Sequence, residues 1–248
     1  MVIAARRIPV RAEELSSQAA RRRLLKRLRV GTTYLILLML TLVLAFPLLW
    51  MALTSVKNQR EVFSSFVPKS LELSNYQRVW VAMDLPRHFA NSLYVTGLTV
   101  LIVIIVSALA GYAFARCEFR GREILFYVFI GAMMIPAQAI LIPMFTFLKS
   151  IGLLNSLTGL SLSFLGGSVA FGIFLMRAFF RTLPSELGDA AKIDGCDELG
   201  VFRHIYLPLA QPGIATVAIF QFQGTWNEFM FSTTFISTPA LKTMSNAA

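Results

Sequence analysis

Residues 34–53 read YLILLMLTLVLAFPLLWMAL, twenty residues without a charge. A helix of about 20 mostly apolar residues crosses the hydrocarbon core of a bilayer. The run follows a basic stretch holding Arg21, Arg22, Arg23, Lys26, Arg27 and Arg29. A cleaved leader would carry a shorter basic lead and a small-x-small site after the apolar run, so an uncleaved first span is expected. Four further apolar runs follow at 89–114, 124–147, 157–176 and 209–231. The last is less pure, with Gln211, Gln221, Gln223, Asn227 and Glu228 inside it. Segments in lipid must satisfy their own backbone hydrogen bonds, so all five are expected as helices. The period-2 alternation of a membrane barrel is missing.

Composition agrees. The 248 residues are 56% hydrophobic and 15% charged, with a mean hydropathy of +0.66. A soluble domain is about half apolar and about a quarter charged. The expected fold class is an all-α polytopic membrane protein, with residues 1–30 a basic cytoplasmic segment and 31–248 the membrane domain. The net charge of +10 does not point to nucleic acid, because the basic residues flank apolar runs and no recognition motif accompanies them. With the N-terminus inside, sixteen of the 23 Lys and Arg fall in inside segments and seven outside. That bias favours the N-in orientation. Cys117 and Cys196 lack metal or redox-motif spacing, and both then face the reducing side.

Between the fourth and fifth runs, residues 177–208 read RAFFRTLPSELGDAAKIDGCDELGVFRHIYLP, longer than a connection requires. Pro184 suits a first helical position, with Glu186 and Asp189 near the positive helix end. Leu187, Ala190 and Ala191 share a narrow face of mainly small residues, bordered by Lys192 and Asp194. Gly195 suits the position just past a helix, and Asp197 can cap a second short helix toward Ile205 and Leu207. Pro208 and Pro212 lead into the fifth run. Such a helix can seat in a groove of another protein or lie flat on the membrane; the residues alone leave both open.

The spacing Asp189-Ala190-Ala191, three residues, Gly195, nine residues, Ile205, one residue, Leu207-Pro208 resembles the EAA motif of ABC importer permeases, with Asp for the usual Glu. The likeness extends over about residues 40–243, through AFPLLWMALTSVKNQREVF, NYQRVW, HFANSLYVTG, YAFARCEFRGREILF, MMIPAQAILIPMF and FQGTWNEF. It is strongest to the carbohydrate-uptake branch, the smaller permease of maltose and glycerol-phosphate type transporters. The resemblance implies an inner-membrane permease whose loop docks an ATP-binding cassette ATPase dimer through Asp189, Ala190, Ala191, Gly195, Ile205, Leu207 and Pro208. It also implies a sister permease, a solute-binding protein and no cofactor. The family usually continues into a sixth span where this chain reads MSNAA at 244–248; the expectation is a shortened permease of five spans.

Solute sites in permeases lie near the midplane on broken helices and polar side chains. Asn91, Thr96, Gln138, Gln221, Gln223 and Asn227 are the candidates, though intramembrane amides also bond neighbouring helices. Glu228 is the one acid inside an expected span. Pro47, Pro136 and Pro143 are expected to kink their helices. His88 and His204 read as loop residues on opposite sides. An intramembrane enzyme would need a convergent metal, nucleophile or carboxylate set, and the sequence holds none. With no Walker pattern, ATP hydrolysis falls to a partner. The alternatives are a non-transporting membrane protein and a permease for a non-sugar solute.

Overall fold

The structure, a computed structural model, describes residues 10–247; residues 1–9 of the expected basic segment and Ala248 lie outside the described residues. Helices account for nearly all the regular structure, and no strand occurs among the described residues. The chain packs as two units, one through Arg78 and one from Val79 onward.

In the first unit, helix α1 spans Val10–Ser55. The hydroxyls of Thr33 and Thr41 bond back to the carbonyls four residues earlier, which satisfies them within the helix. Leu35, Ile36, Leu37 and Leu38 make one full turn and are all exposed, so the helix is apolar all round, as a lipid-facing helix is. The segment 25–55 is long and apolar enough to cross a membrane, and the helix runs through Pro47 without interruption. Beyond it the chain folds around Lys57, which is buried. Its Nζ donates to the Ser65 carbonyl at 2.8 Å and lies 4.6 Å from the Trp50 ring centroid. Asn75 Nδ2 donates to the carbonyls of Ser55 and Lys57, tying the start of α2 (Ser74–Ala82) to the end of α1.

The second unit is built on α3 (Leu85–Arg116), the other helix long and apolar enough to span. It starts earlier than the apolar run suggests because Pro86 fits its first turn. His88, expected in a loop, therefore lies inside α3 and is buried. Then come α4 (Arg122–Ala132), α5 (Ala137–Ser150), α6 (Leu157–Ser163) and α7 (Leu165–Thr182). After the loop helices lies α11 (Gln211–Trp226), followed by α12 (Met230–Phe235).

Two expected spans, the third and the fourth, appear as bent pairs, and the fifth follows the end of the loop at a bend. The α4–α5 pair bends by 95°, the α6–α7 pair by 47°, and the helix running into α11 by 72°. The two long helices become up to five spans if each pair is counted as one. The sharpest break falls at Pro136, which caps α5; proline has no N–H for the ladder and pushes the residue before it out of the helical region. Pro143 lies within α5 without ending it. The fifth run, expected unbroken to residue 231, stops at Trp226. Asn227 closes α11 by donating its side-chain amide to the Gln223 carbonyl at 2.9 Å. Glu228 then starts α12, its two carboxylate oxygens accepting from the N–H groups of Phe231 and Ser232 at 2.9 and 3.1 Å.

The main crossing is between α3 and α7. A Cβ on Gly172 would collide with Ser107 Oγ, and one on Gly111 would sit 2.5 Å from Met176 Cβ. Small residues let the two backbones meet. Beside this crossing, Val103, Tyr112, Met176, Phe180, Phe202 and Tyr206 form the largest buried cluster. A second cluster, with Val95, Leu148, Leu160 and Phe235, packs toward the other end of α3.

Candidate functional site

The connection after α7 folds as α8 (Glu186–Ile193), α9 (Glu198–Val201), a π-helical turn (Phe202–Tyr206) and α10 (Leu207–Leu209). The Ser185 carbonyl accepts from the N–H groups of Gly188 and Asp189, and Glu186 and Asp189 occupy the first turn, where negative charge is favoured. Pro184, expected at the first helical position, stands two residues ahead of it because Ser185 caps the helix. Its carbonyl accepts instead from Tyr206 Oη at 3.3 Å.

The end of α8 is a Schellman turn. Cys196 N–H donates to the Ala191 carbonyl at 3.0 Å and Gly195 N–H to the Lys192 carbonyl at 3.1 Å. Gly195 has φ +88, a conformation glycine takes without steric cost. Cys196 and Ala191 both pack into the large buried cluster, which supplies the apolar contact that accompanies this turn. The Asp197 carboxylate accepts from Gly200 N–H at 2.8 Å, so the expected cap of the second helix is in place.

These two fixed ends give α8 an inner and an outer side. On the inner side, Gly188 and Ala191 are buried. A Cβ on Gly188 would come within 2.9 Å of Tyr206 Oη, so the helix lies flush on that ring. On the outer side, Asp189 and Ala190 are exposed, together with Leu187, Leu199 and Ile193, the last 87% exposed.

Of the residues expected to dock a partner, Asp189, Ala190, Gly195 and Pro208 face outward, Ala191 is buried, and Ile205 and Leu207 are half-buried against the chain's own cluster. Ile193 and Leu199 went unnoticed in the sequence, although an isoleucine set between Lys192 and Asp194 is the kind of apolar residue that a charged rim surrounds.

The loop is tied to α3 by polar contacts. Lys192 Nζ pairs with Glu198 Oε2 at 2.8 Å. This hydrogen bond, with the carboxylate charge, holds the Lys192 ammonium above its ordinary value. Tyr112 Oη of α3 donates to the other oxygen, Oε1, at 3.0 Å, and Cys117 Sγ lies 3.8 Å from the same atom. The Arg116 guanidinium sits 4.9 Å from the Tyr206 ring centroid and donates to the carbonyls of Phe180 and Leu183, which close α7.

The solute-path candidates have different surroundings. Asn91 is buried and donates to the carbonyls of Ala240 and Lys242, both at 2.9 Å. The same Lys242 carbonyl pairs with His88 Nδ1 at 2.8 Å. Gln221 donates to Thr225 Oγ1; Gln138, Gln223 and Asn227 are exposed. Thr96 is buried and lines a cavity of about 10 Å³ with Ser92, Thr225, Glu228, Ser232 and Thr243, room for a single water.

Residues 104–248 match the family described as "Binding-protein-dependent transport system inner membrane component". The chain is similar to the diacetylchitobiose uptake system permease protein NgcG of Streptomyces coelicolor, 34% identical over 200 residues, covering 80% of this chain and 66% of that one. It is also similar to the probable ABC transporter permease protein YurM of Bacillus subtilis, 35% identical over 219 residues, covering 87% and 73%. The chain thus spans about two thirds of the first relative and about three quarters of the second. Among solved structures, a bacterial ABC transporter involved in the import of the acidic polysaccharide alginate superposes with a TM-score of 0.78, at 24% identity, over 87% of this chain and 76% of that one; this likeness concerns the fold. With residues 104–248 matched and a relative 35% identical over 87% of this chain, the chain belongs to the inner-membrane permease components of binding-protein-dependent ABC transporters.

Proposed function

We propose that this chain is the membrane-spanning permease subunit of an ATP-driven importer for a sugar or oligosaccharide, and that α8 docks the ATPase. Relatives named for diacetylchitobiose, sulfoquinovosyl glycerol, alpha-glucoside and galactooligosaccharide transport support the solute class. The docking assignment rests on one observation above all: α8 is clamped at both ends yet leaves Ile193 87% exposed beside Ala190 and Asp189. An apolar tip within a charged rim is the pattern of a helix seated in a partner's groove. In this reading the N-terminus and the 184–208 loop lie on the cytoplasmic side, where most Lys and Arg fall, and α1, α3, the α4–α5 and α6–α7 pairs and α11 cross the inner membrane. The partners are an ATP-binding cassette ATPase dimer that supplies the hydrolysis, a sister permease and a solute-binding protein.

The test is co-purification in detergent of the full chain with the ATPase and sister permease expressed beside it. Asp189→Lys reverses the charge on the exposed rim and is expected to release the ATPase while the helices stay folded. Unchanged ATPase association would remove the docking assignment.

A further inference from the structure

Resting on the docking reading above, we propose that Glu198 is a positioning residue that carries motion of the docked helix to α3. Its carboxylate binds both sides of that joint. One oxygen holds Lys192 at 2.8 Å, in the last turn of α8. The other accepts from Tyr112 at 3.0 Å, one turn before the end of α3. The Asp197 cap fixes the backbone that presents Glu198, so the carboxylate is held at its base and at both oxygens.

The two attachments differ in what surrounds them. Lys192 is half-exposed and moves with α8. Tyr112 is buried, its ring 5.0 Å from Phe202, 5.4 Å from Tyr206 and 5.7 Å from Phe180 by centroid. A displacement of α8 therefore reaches Tyr112 through a short pair of charge-assisted bonds. From Tyr112 it reaches α3 and, through Phe180, the end of α7. The inner side of α8, with Gly188 against the Tyr206 ring and Ala191 in the buried cluster, is a flat apolar surface on which a helix can slide. Glu198 makes α8 pull on α3 as well as press on the cluster.

The experiment uses the full transporter, the chain with its ATPase and sister permease, in detergent or nanodiscs. Hydrogen exchange is followed over 186–201 and over 99–116, with and without Mg-ATP and orthovanadate. In the wild type, nucleotide is expected to change exchange in both segments. In Glu198→Gln, the ATPase is expected to stay bound and 186–201 to respond as before, while the nucleotide-dependent change in 99–116 falls about fivefold. Tyr112→Phe, which leaves the Lys192 pair intact, is expected to give the same loss, and the double variant no further loss.

A full response of 99–116 in both single variants overturns the inference and leaves docking intact. So do additive effects in the double variant. Loss of ATPase binding in Glu198→Gln overturns it too, since Glu198 would then be part of the docking face. Failure of the wild-type chain to bind the ATPase overturns the docking reading and the inference with it.

Discussion

Arg116 and Arg177 cap each other's helices. Arg116, the last residue of α3, donates to the Phe180 carbonyl near the end of α7 at 2.7 Å. Arg177 of α7 donates from Nε to the Phe114 carbonyl near the end of α3 at 3.2 Å. Both place a cation where helix C-terminal carbonyls collect negative charge. Arg177 is nearly buried, its guanidinium 3.7 Å from the Phe126 ring centroid and in a bidentate pair with Glu123 at 2.6 and 2.8 Å. Three helices are joined at one end by two arginines, which the sequence shows only as part of a charge bias.

Arg177→Met is expected to cost about 1–3 kcal/mol, because the Phe114 carbonyl loses its donor and the cation leaves the Phe126 ring. Glu123→Gln should cost less, since Glu123 is half-exposed and the Phe114 bond remains. Thermal unfolding in detergent should order the two. A larger loss for Glu123→Gln would mean that the carboxylate, and not the arginine, organises this end.

The α3–α7 crossing is set by Gly172 against Ser107. Gly172→Ala drives a methyl into that contact and is expected to lower stability by about 1–3 kcal/mol. Adding Ser107→Gly should restore part of the loss by opening the facing side. If the second change deepens the first, the helices do not meet through these residues.

At Gly195 the strain is in the backbone, since a Cβ there meets nothing within 4 Å. Gly195→Ala is expected to cost about 1 kcal/mol through its positive φ, Gly195→Asn less, and Gly195→Pro most, because proline cannot adopt that φ. Equal melting temperatures for all three would show that the turn is not a Schellman turn.

This glycine also marks what was legible in the sequence. Gly195 and the Asp197 cap lie where local residue chemistry puts them, because each depends on bonds made within a few positions. The inward turn of Ala191 was not legible. Periodicity gives α8 a face, but Tyr206, fifteen residues on, decides which side is covered, and Gly188 is the small residue that admits it. The break at Trp226 was hidden for a similar reason. Hydropathy continues to residue 231, while Glu228 ends the span by capping α12. Asn91 suited a solute site by residue type, yet its amide is spent on two carbonyls some 150 positions away in sequence.

Asn91→Ala therefore separates two roles. It is expected to destabilise the fold by about 1 kcal/mol, since the Ala240 carbonyl loses its amide donor and the Lys242 carbonyl keeps only His88, and to leave the solute concentration for half-maximal uptake unchanged. An altered half-maximal concentration with unaltered stability would return Asn91 to the solute path.

The docking face is tested most directly by crosslinking. With Cys117 and Cys196 replaced by serine, single cysteines at Ile193 and at Ala191 are treated with a short bifunctional maleimide in the complex with the ATPase. Ile193→Cys, on the exposed tip of α8, should crosslink to the ATPase, and Ala191→Cys, buried against the chain's own core, should not. Crosslinking from Ala191→Cys with none from Ile193→Cys, or from neither, would contradict the docking of α8 by its outer side.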